Sequence, residues 1–167
     1  IVHPDGTALR IARIDADSTR HKGELAQQLA QVHAGEVDVL IAGPPCQGHS
    51  TANKNRKNFD QRNLLYLTVP ALAIAWNVPT VVIENVPAVR ASQQGVVQTT
   101  YRLLKHYGYS VCEGVLNAAD IGWPQSRRRY FLIATKDRVL APDVKSYINP
   151  IGRRSALPLS AAIGDLL

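Results

Sequence analysis

The chain has 167 residues, a net charge of +6 and a pI near 9.6, with 46% hydrophobic and 19% charged residues. That balance belongs to one globular domain long enough to bury a core, and it excludes a disordered or low-complexity chain; no apolar run reaches the length of a bilayer. The basic excess points toward a polyanionic partner, while two cysteines in unlike contexts and the lack of a signal peptide point to a reducing, cytoplasmic setting.

From Ile1 to Arg10 the overall pattern is uninformative. Leu9 to Ile14 alternates apolar and basic residues, which predicts a short strand, and runs into Asp15-Ala16-Asp17-Ser18, a turn and helix-start signal. Leu25, Leu29 and Val32 then fall at i, i+4 and i+7, a helix that Gly35 is placed to end. Val37 to Ala42 reads as a buried strand, so the first half is strand, helix, strand, the unit of a parallel α/β sheet. At Gly43 the run stops, and Pro44 and Pro45, which fix φ and bring no N–H to a ladder, turn the chain out of the sheet as a stiff elbow. Gln47 to Arg62 is almost entirely polar and is expected to be a loop, with Lys54, Arg56, Lys57 and Arg62 placed to meet phosphates; the alternative is a solvated surface loop. Leu64, Thr68, Ala71, Leu72 and Ala75 are expected to form the apolar face of the next helix, in which Pro70 predicts a kink or a fresh start. Asn77-Val78-Pro79 turns into a strand over Thr80 to Ile83. Val97, Tyr101 and Leu104 mark a further helix, closed by Gly108. Tyr109 to Leu116, with Cys112 in the core, and Arg129 to Thr135 read as two more strands. After Thr135 the signal fades into a Pro-rich tail, and Leu159 to Leu167 can begin another helix.

In an open α/β sheet, ligands bind in the crevice beyond the carboxyl ends of the strands. Cys46, on the Gly-Pro-Pro elbow, falls at that edge. A thiol there is presented rather than packed, which suits a nucleophile; the plainer alternative is a small buried hydrophobe. Glu84 stands at the same edge, where a carboxylate is costly to bury without a task; the plainer alternatives are a helix cap or an ion pair. Asp17, just past the first strand, can accept hydrogen bonds from a nucleoside or simply cap the helix, and Asp15 is a rival for either role. Near the C-terminal strand, Arg127, Arg128 and Arg129 form a cluster. If that segment is already extended, Arg128 points away from its two neighbours, and the alternative for the cluster is a surface phosphate patch or an ion pair.

Three stretches occur in one order: Gly43-Pro44-Pro45-Cys46-Gln47-Gly48-His49-Ser50, Glu84-Asn85-Val86 and Gln125-Ser126-Arg127-Arg128-Arg129. Together they resemble the motifs of the DNA cytosine-5 methyltransferase family, which usually has Phe where this chain has His49. The resemblance runs from about Asp15 to the C-terminus. It implies an α/β, Rossmann-like sheet of the S-adenosylmethionine-dependent methyltransferase kind, mostly parallel with an antiparallel strand near the C-terminal end. It also implies N-terminal incompleteness, because no glycine-rich cofactor turn precedes Asp15. Residues 1–140 would be a partial catalytic domain and 141–167 a tail leading toward a target-recognition region that the chain lacks. By resemblance, Cys46, Glu84, Arg127 and Arg129 are catalytic, and Asp17, Pro45 and Leu65 contact S-adenosylmethionine. Pro44, Gln47, Ser50, Arg62, Asn85 and Gln125 meet the substrate, and no metal is implied. Double-stranded DNA is the expected partner, with a second chain a candidate to supply the missing parts. The sequence contains no methionine, so Ile1 is not expected to be a natural start, and the chain reads as a fragment, a processed form or one piece of an assembly.

The implied chemistry is addition of a thiolate to carbon 6 of cytosine, which makes carbon 5 able to attack a methyl group. A free cysteine titrates near ~8.5, and bringing it to about 7 takes about 2 kcal/mol. One guanidinium at about 4 Å, with an effective dielectric of about 20, supplies roughly 4 kcal/mol before desolvation, so Arg127 or Arg129 alone suffices. Glu84 would donate a proton at ring nitrogen 3, kept protonated by burial and oriented by Asn85. The base must be flipped out of the duplex. The rival function is a non-catalytic DNA-binding or regulatory relic of the fold, for which keeping Cys46, Glu84 and Arg127 together has no purpose.

Overall fold

The computed structural model describes residues 11–14, 35–45, 61–147, 155–158 and 160, with 11–14 and 61–63 described by their backbone alone. Five strands among these residues make one sheet: β1 (Ile11–Ile14), β2 (Val39–Ala42), β3 (Thr80–Asn85), β4 (Ser110–Asn117) and β5 (Arg128–Thr135), in the order β1-β2-β3-β5-β4. β1, β2 and β3 pair in parallel, and β5 is antiparallel to both β3 and β4. Four strands therefore point one way and β5 runs against them, as the α/β, mostly parallel expectation had it. The expected helix over Leu25 to Val32 lies outside the described residues, as do His49 and most of Leu159 to Leu167.

Burial alternates along β3, with Val81, Ile83 and Asn85 buried and Thr80, Val82 and Glu84 half-buried. The buried face, with Leu40, Leu132 and Ala134 beside it, packs under Tyr66, Val69, Ala73, Val96, Val97 and Leu104. On the other face a smaller cluster joins Cys112, Leu140 and Val144 to Leu116, Phe131 and Ile133. Cys112 is fully buried in this cluster, core as its place in a strand predicted, and burial pushes its thiol pKa up.

Gln61–Leu67 forms a 3-10 helix that gives way to α1 (Thr68–Ala75). Pro70 thus stands in the first turn of α1, where its missing N–H has no intrahelical partner to lose. This is the fresh start expected of it. The same break corrects two expectations. The loop predicted through Arg62 has already ended at Gln61, and the apolar face is rotated: Val69, Pro70 and Ala73 are buried, whereas Leu64, Thr68, Ala71 and Ala75 are exposed. Nearly every residue of α1 is apolar, so periodicity could not choose the face, and the change of helix type at Thr68 reset the phase.

α2 (Val96–His106) buries Val96, Val97, Thr100 and Leu104. It ends as predicted at Gly108, whose φ of +84° is one that glycine adopts without strain. There the Tyr109 amide donates to the Leu104 carbonyl (3.0 Å) and the Gly108 amide to the Lys105 carbonyl (3.1 Å), the paired bonds of a Schellman stop.

Candidate active site at the carboxyl edge of the sheet

β2 leaves the sheet at Gly43, next to the end of β3. A Cβ on Gly43 would lie 3.6 Å from Glu84 Oε2, so the elbow and the carboxyl are neighbours. Successive residues of a strand point to opposite faces, and Glu84 and Asn85 divide accordingly. Asn85 is 4% exposed; its Nδ2 donates to the Pro44 carbonyl at 2.9 Å and its Oδ1 accepts from the Val86 amide at 2.8 Å. The expected role of Asn85 in orienting Glu84 is therefore corrected: its side chain faces the other way and fastens the buried Pro44 to the end of β3.

Glu84 is paired across the sheet. In the β3–β5 register Glu84 opposes Phe131, which puts Arg129 on its diagonal and on the same face. Arg129 Nε meets Glu84 Oε1 at 2.7 Å, with the Arg129 side chain 24% and the Glu84 side chain 38% exposed. The deep burial expected to keep Glu84 protonated is not present. Its carboxyl lies half open against a guanidinium, because the edge of the sheet is open there.

The arginine cluster is separated as alternation demands. Arg128 is exposed and lines a shallow recess with Arg90, Glu113, Asp143 and Lys145, on the face away from Arg129. Arg127 is also exposed, in the turn before β5, where its amide donates to the Gln125 carbonyl and its carbonyl accepts from the Ala118 amide, both at 3.0 Å. Of the two arginines named as partners for the site, the structure brings Arg129 to Glu84. Gln125 is exposed on the same turn, and Pro45 and Leu65 are half-buried. Asp17, Cys46, Gln47 and Ser50 lie outside the described residues, and of Arg62 only the backbone is described. The tie from Asn85 to Pro44 was missed by sequence reasoning, since an asparagine after a glutamate carries no sign of which face it takes.

The site is thus a carboxylate, a guanidinium and a proline elbow at one edge of a mostly parallel α/β sheet. Two solved structures share that fold: a prophage-encoded E. coli protein described as a DNA modification methyltransferase (TM-score 0.54, 24% identity, 78% of this chain and 41% of that one), and Dnmt2 methyltransferase of S. pombe (TM-score 0.53, 18% identity, 77% and 41%). The C-5 cytosine-specific DNA methylase family model matches residues 12–156, and the chain belongs to that family. Among curated relatives it is 37% identical over 132 residues to the type II methyltransferase M1.BsuMI of Bacillus subtilis, covering 79% of this chain and 30% of that protein. It is 34% identical over 141 residues to M.DdeI of Desulfomicrobium norvegicum, covering 81% and 34%. The chain thus spans about a third of the length of these relatives.

Proposed function

We propose that this chain carries the chemical centre of a DNA (cytosine-5-)-methyltransferase, acting on a cytosine flipped out of double-stranded DNA through a covalent bond to Cys46. The observation that carries the reading is the Glu84 carboxyl beside the elbow, 3.6 Å from where a Gly43 Cβ would lie, because Cys46 follows Pro45 by one peptide link, about 3.8 Å between Cα atoms. A thiol, a carboxyl and a guanidinium are what addition to carbon 6 of a pyrimidine requires.

In this reading Glu84 takes up the proton that the Cys46 thiol gives up and hands it to ring nitrogen 3 as the thiolate attacks carbon 6, so that electrons drawn from the ring have somewhere to go. The open part of the Glu84 side chain is where the edge of the ring sits, and water leaves the carboxyl when it does. Arg129 holds Glu84 in position and contributes positive charge to the site, Arg127 contacts the base or its phosphates, and Asn85 keeps the elbow in place through Pro44. S-adenosylmethionine, when bound, supplies the methyl group that carbon 5 accepts. Pro45 and Leu65, both half-buried, would contact the cofactor, and Asp17 would accept hydrogen bonds from its nucleoside. Loss of the proton at carbon 5 then expels the Cys46 sulfur.

The test is trapping on duplex DNA of random sequence containing 5-fluorocytosine with S-adenosylmethionine present. Fluorine at carbon 5 cannot leave as a proton, so a covalent protein–DNA adduct is expected that Cys46→Ser abolishes. A second chain joins the assay only to complement a negative result. No adduct with the chain alone or so complemented would leave the non-catalytic DNA-binding relic as the better account.

A further inference from the structure

The chain's two tryptophans sit in opposite surroundings: Trp76 is buried, whereas Trp123 is 64% exposed. Exposure of one apolar side chain on a loose tip is ordinary. Trp123 is on a fastened turn. Its amide donates to the Ala118 carbonyl (3.1 Å), as does that of Ile121 (3.2 Å), and the Gly122 amide donates to the Ala119 carbonyl (3.2 Å). Gly122 holds a φ of +94°, and Pro124 stiffens the other side. The same Ala118 gives its own amide to the Arg127 carbonyl, so Trp123 and Arg127 are anchored to one residue, just beyond the β4 end that pairs with Arg128 and Arg129.

Ile121 on the same turn is also exposed, as is Leu157, whose amide donates to the Gly122 carbonyl at 3.3 Å. Across 117–129 the charged residues are Asp120 and three arginines. An exposed apolar ring on a hydrogen-bonded turn that also carries the exposed Arg127, at the edge that carries Glu84, complements an aromatic polyanion better than it complements a protein surface. Nucleobases stack on such rings without regard to their identity, and neighbouring guanidiniums take the phosphates.

We propose that Trp123 is a stacking platform for a nucleobase of the DNA that leaves the duplex stack beside the extruded cytosine. The proposal rests on the cytosine-methyltransferase reading for its substrate and extends it to a residue outside the three motifs' chemical groups.

Trp123 reports on itself, because Trp76 is shielded. A short single-stranded oligonucleotide of mixed sequence is expected to quench the exposed tryptophan emission of the wild-type chain, and inorganic polyphosphate, a polyanion without bases, is expected not to. In Trp123→Phe the quenching disappears while affinity for the oligonucleotide stays within about three-fold; in Trp123→Ala the dissociation constant rises about ten-fold, with thermal stability unchanged in both. Equal quenching by polyphosphate, quenching that persists in Trp123→Phe, or undiminished binding by Trp123→Ala overturns the proposal. The 5-fluorocytosine trap separates it from the enzymatic reading. If wild type and Trp123→Ala form adducts at the same DNA concentration, the platform is wrong and the methyltransferase stands. If no adduct forms but the oligonucleotide still quenches Trp123, the nucleobase contact stands and the enzymatic reading falls.

Discussion

Asn85 uses both ends of its amide within one residue of the site, donating to Pro44 and accepting from Val86. A buried side chain so engaged is costly to alter, because the group left behind loses its partner without regaining water. Asn85→Asp replaces a donor by a charged acceptor facing the Pro44 carbonyl and is expected to cost about 2–3 kcal/mol. Asn85→Ala, which removes the bond without adding a charge, is expected to cost about 1–2 kcal/mol. The urea midpoints of the two variants check this order; a midpoint for Asn85→Asp equal to wild type would mean that the tie to Pro44 is not needed. The neighbouring Arg129–Glu84 pair is of another kind. Both partners are partly open to water, so the pair adds little to folding and matters for where it holds the two groups.

At the level of elements, the outer edge of β4 shows how this sheet ends. The Glu113 amide donates to the Pro142 carbonyl at 3.0 Å, Glu113 and Asp143 form a parallel bridge, and the Leu140 amide donates to Ser110 Oγ at 2.7 Å. Segment 140–147 therefore covers an edge that would otherwise offer free backbone groups to another chain. Gly114 makes room for it: a Cβ there would come within 2.6 Å of Val144 Cγ1 and 2.7 Å of Asp143 Oδ1. Gly114→Val is expected to push the segment off and to cost about 1–3 kcal/mol. Hydrogen exchange at the Glu113 amide reads the displacement directly, and unchanged protection there would show that the segment yields without leaving. On the inner side of the same strand, the Tyr130 hydroxyl donates to Glu113, which also meets Arg90 at 3.6 Å.

Across the whole molecule, Tyr109 joins α1, the turn into β3 and the start of β4 by donating to the Val78 carbonyl at 2.6 Å and to that of Ala73 at 3.2 Å. Burial pushes its pKa up to about 12 from 10.0. Burial, first, and the Glu113 contact also raise the Tyr130 pKa. The unfolded chain then releases these protons before the folded one does, so stability falls as pH rises. The Tyr109 contribution is complete below pH 10 and lost as pH climbs through about 12. Alkaline titration of the unfolding midpoint is expected to show this loss, and Tyr109→Phe should flatten its slope. A variant with the wild-type alkaline slope would place the coupling elsewhere.

Much of the architecture was legible because it depends on neighbours in sequence. The proline elbow after Ala42, the stop at Gly108, the restart forced by Pro70 and the alternation that sends Arg128 away from Arg129 are all written within a few residues of where they act. The family itself was legible in three short stretches. What the amino-acid order could not show was partnership across the sheet. Arg129, and not Arg127, meets Glu84 because antiparallel pairing of β3 with β5 puts it on the diagonal. Asn85 turns inward because it is one residue past Glu84 in a strand. The buried face of α1 was illegible because an almost uniformly apolar helix has no periodic contrast to read. Local conformation follows from local sterics and hydrogen bonding, whereas register and facing are decided only when strands from distant parts of the chain share a ladder.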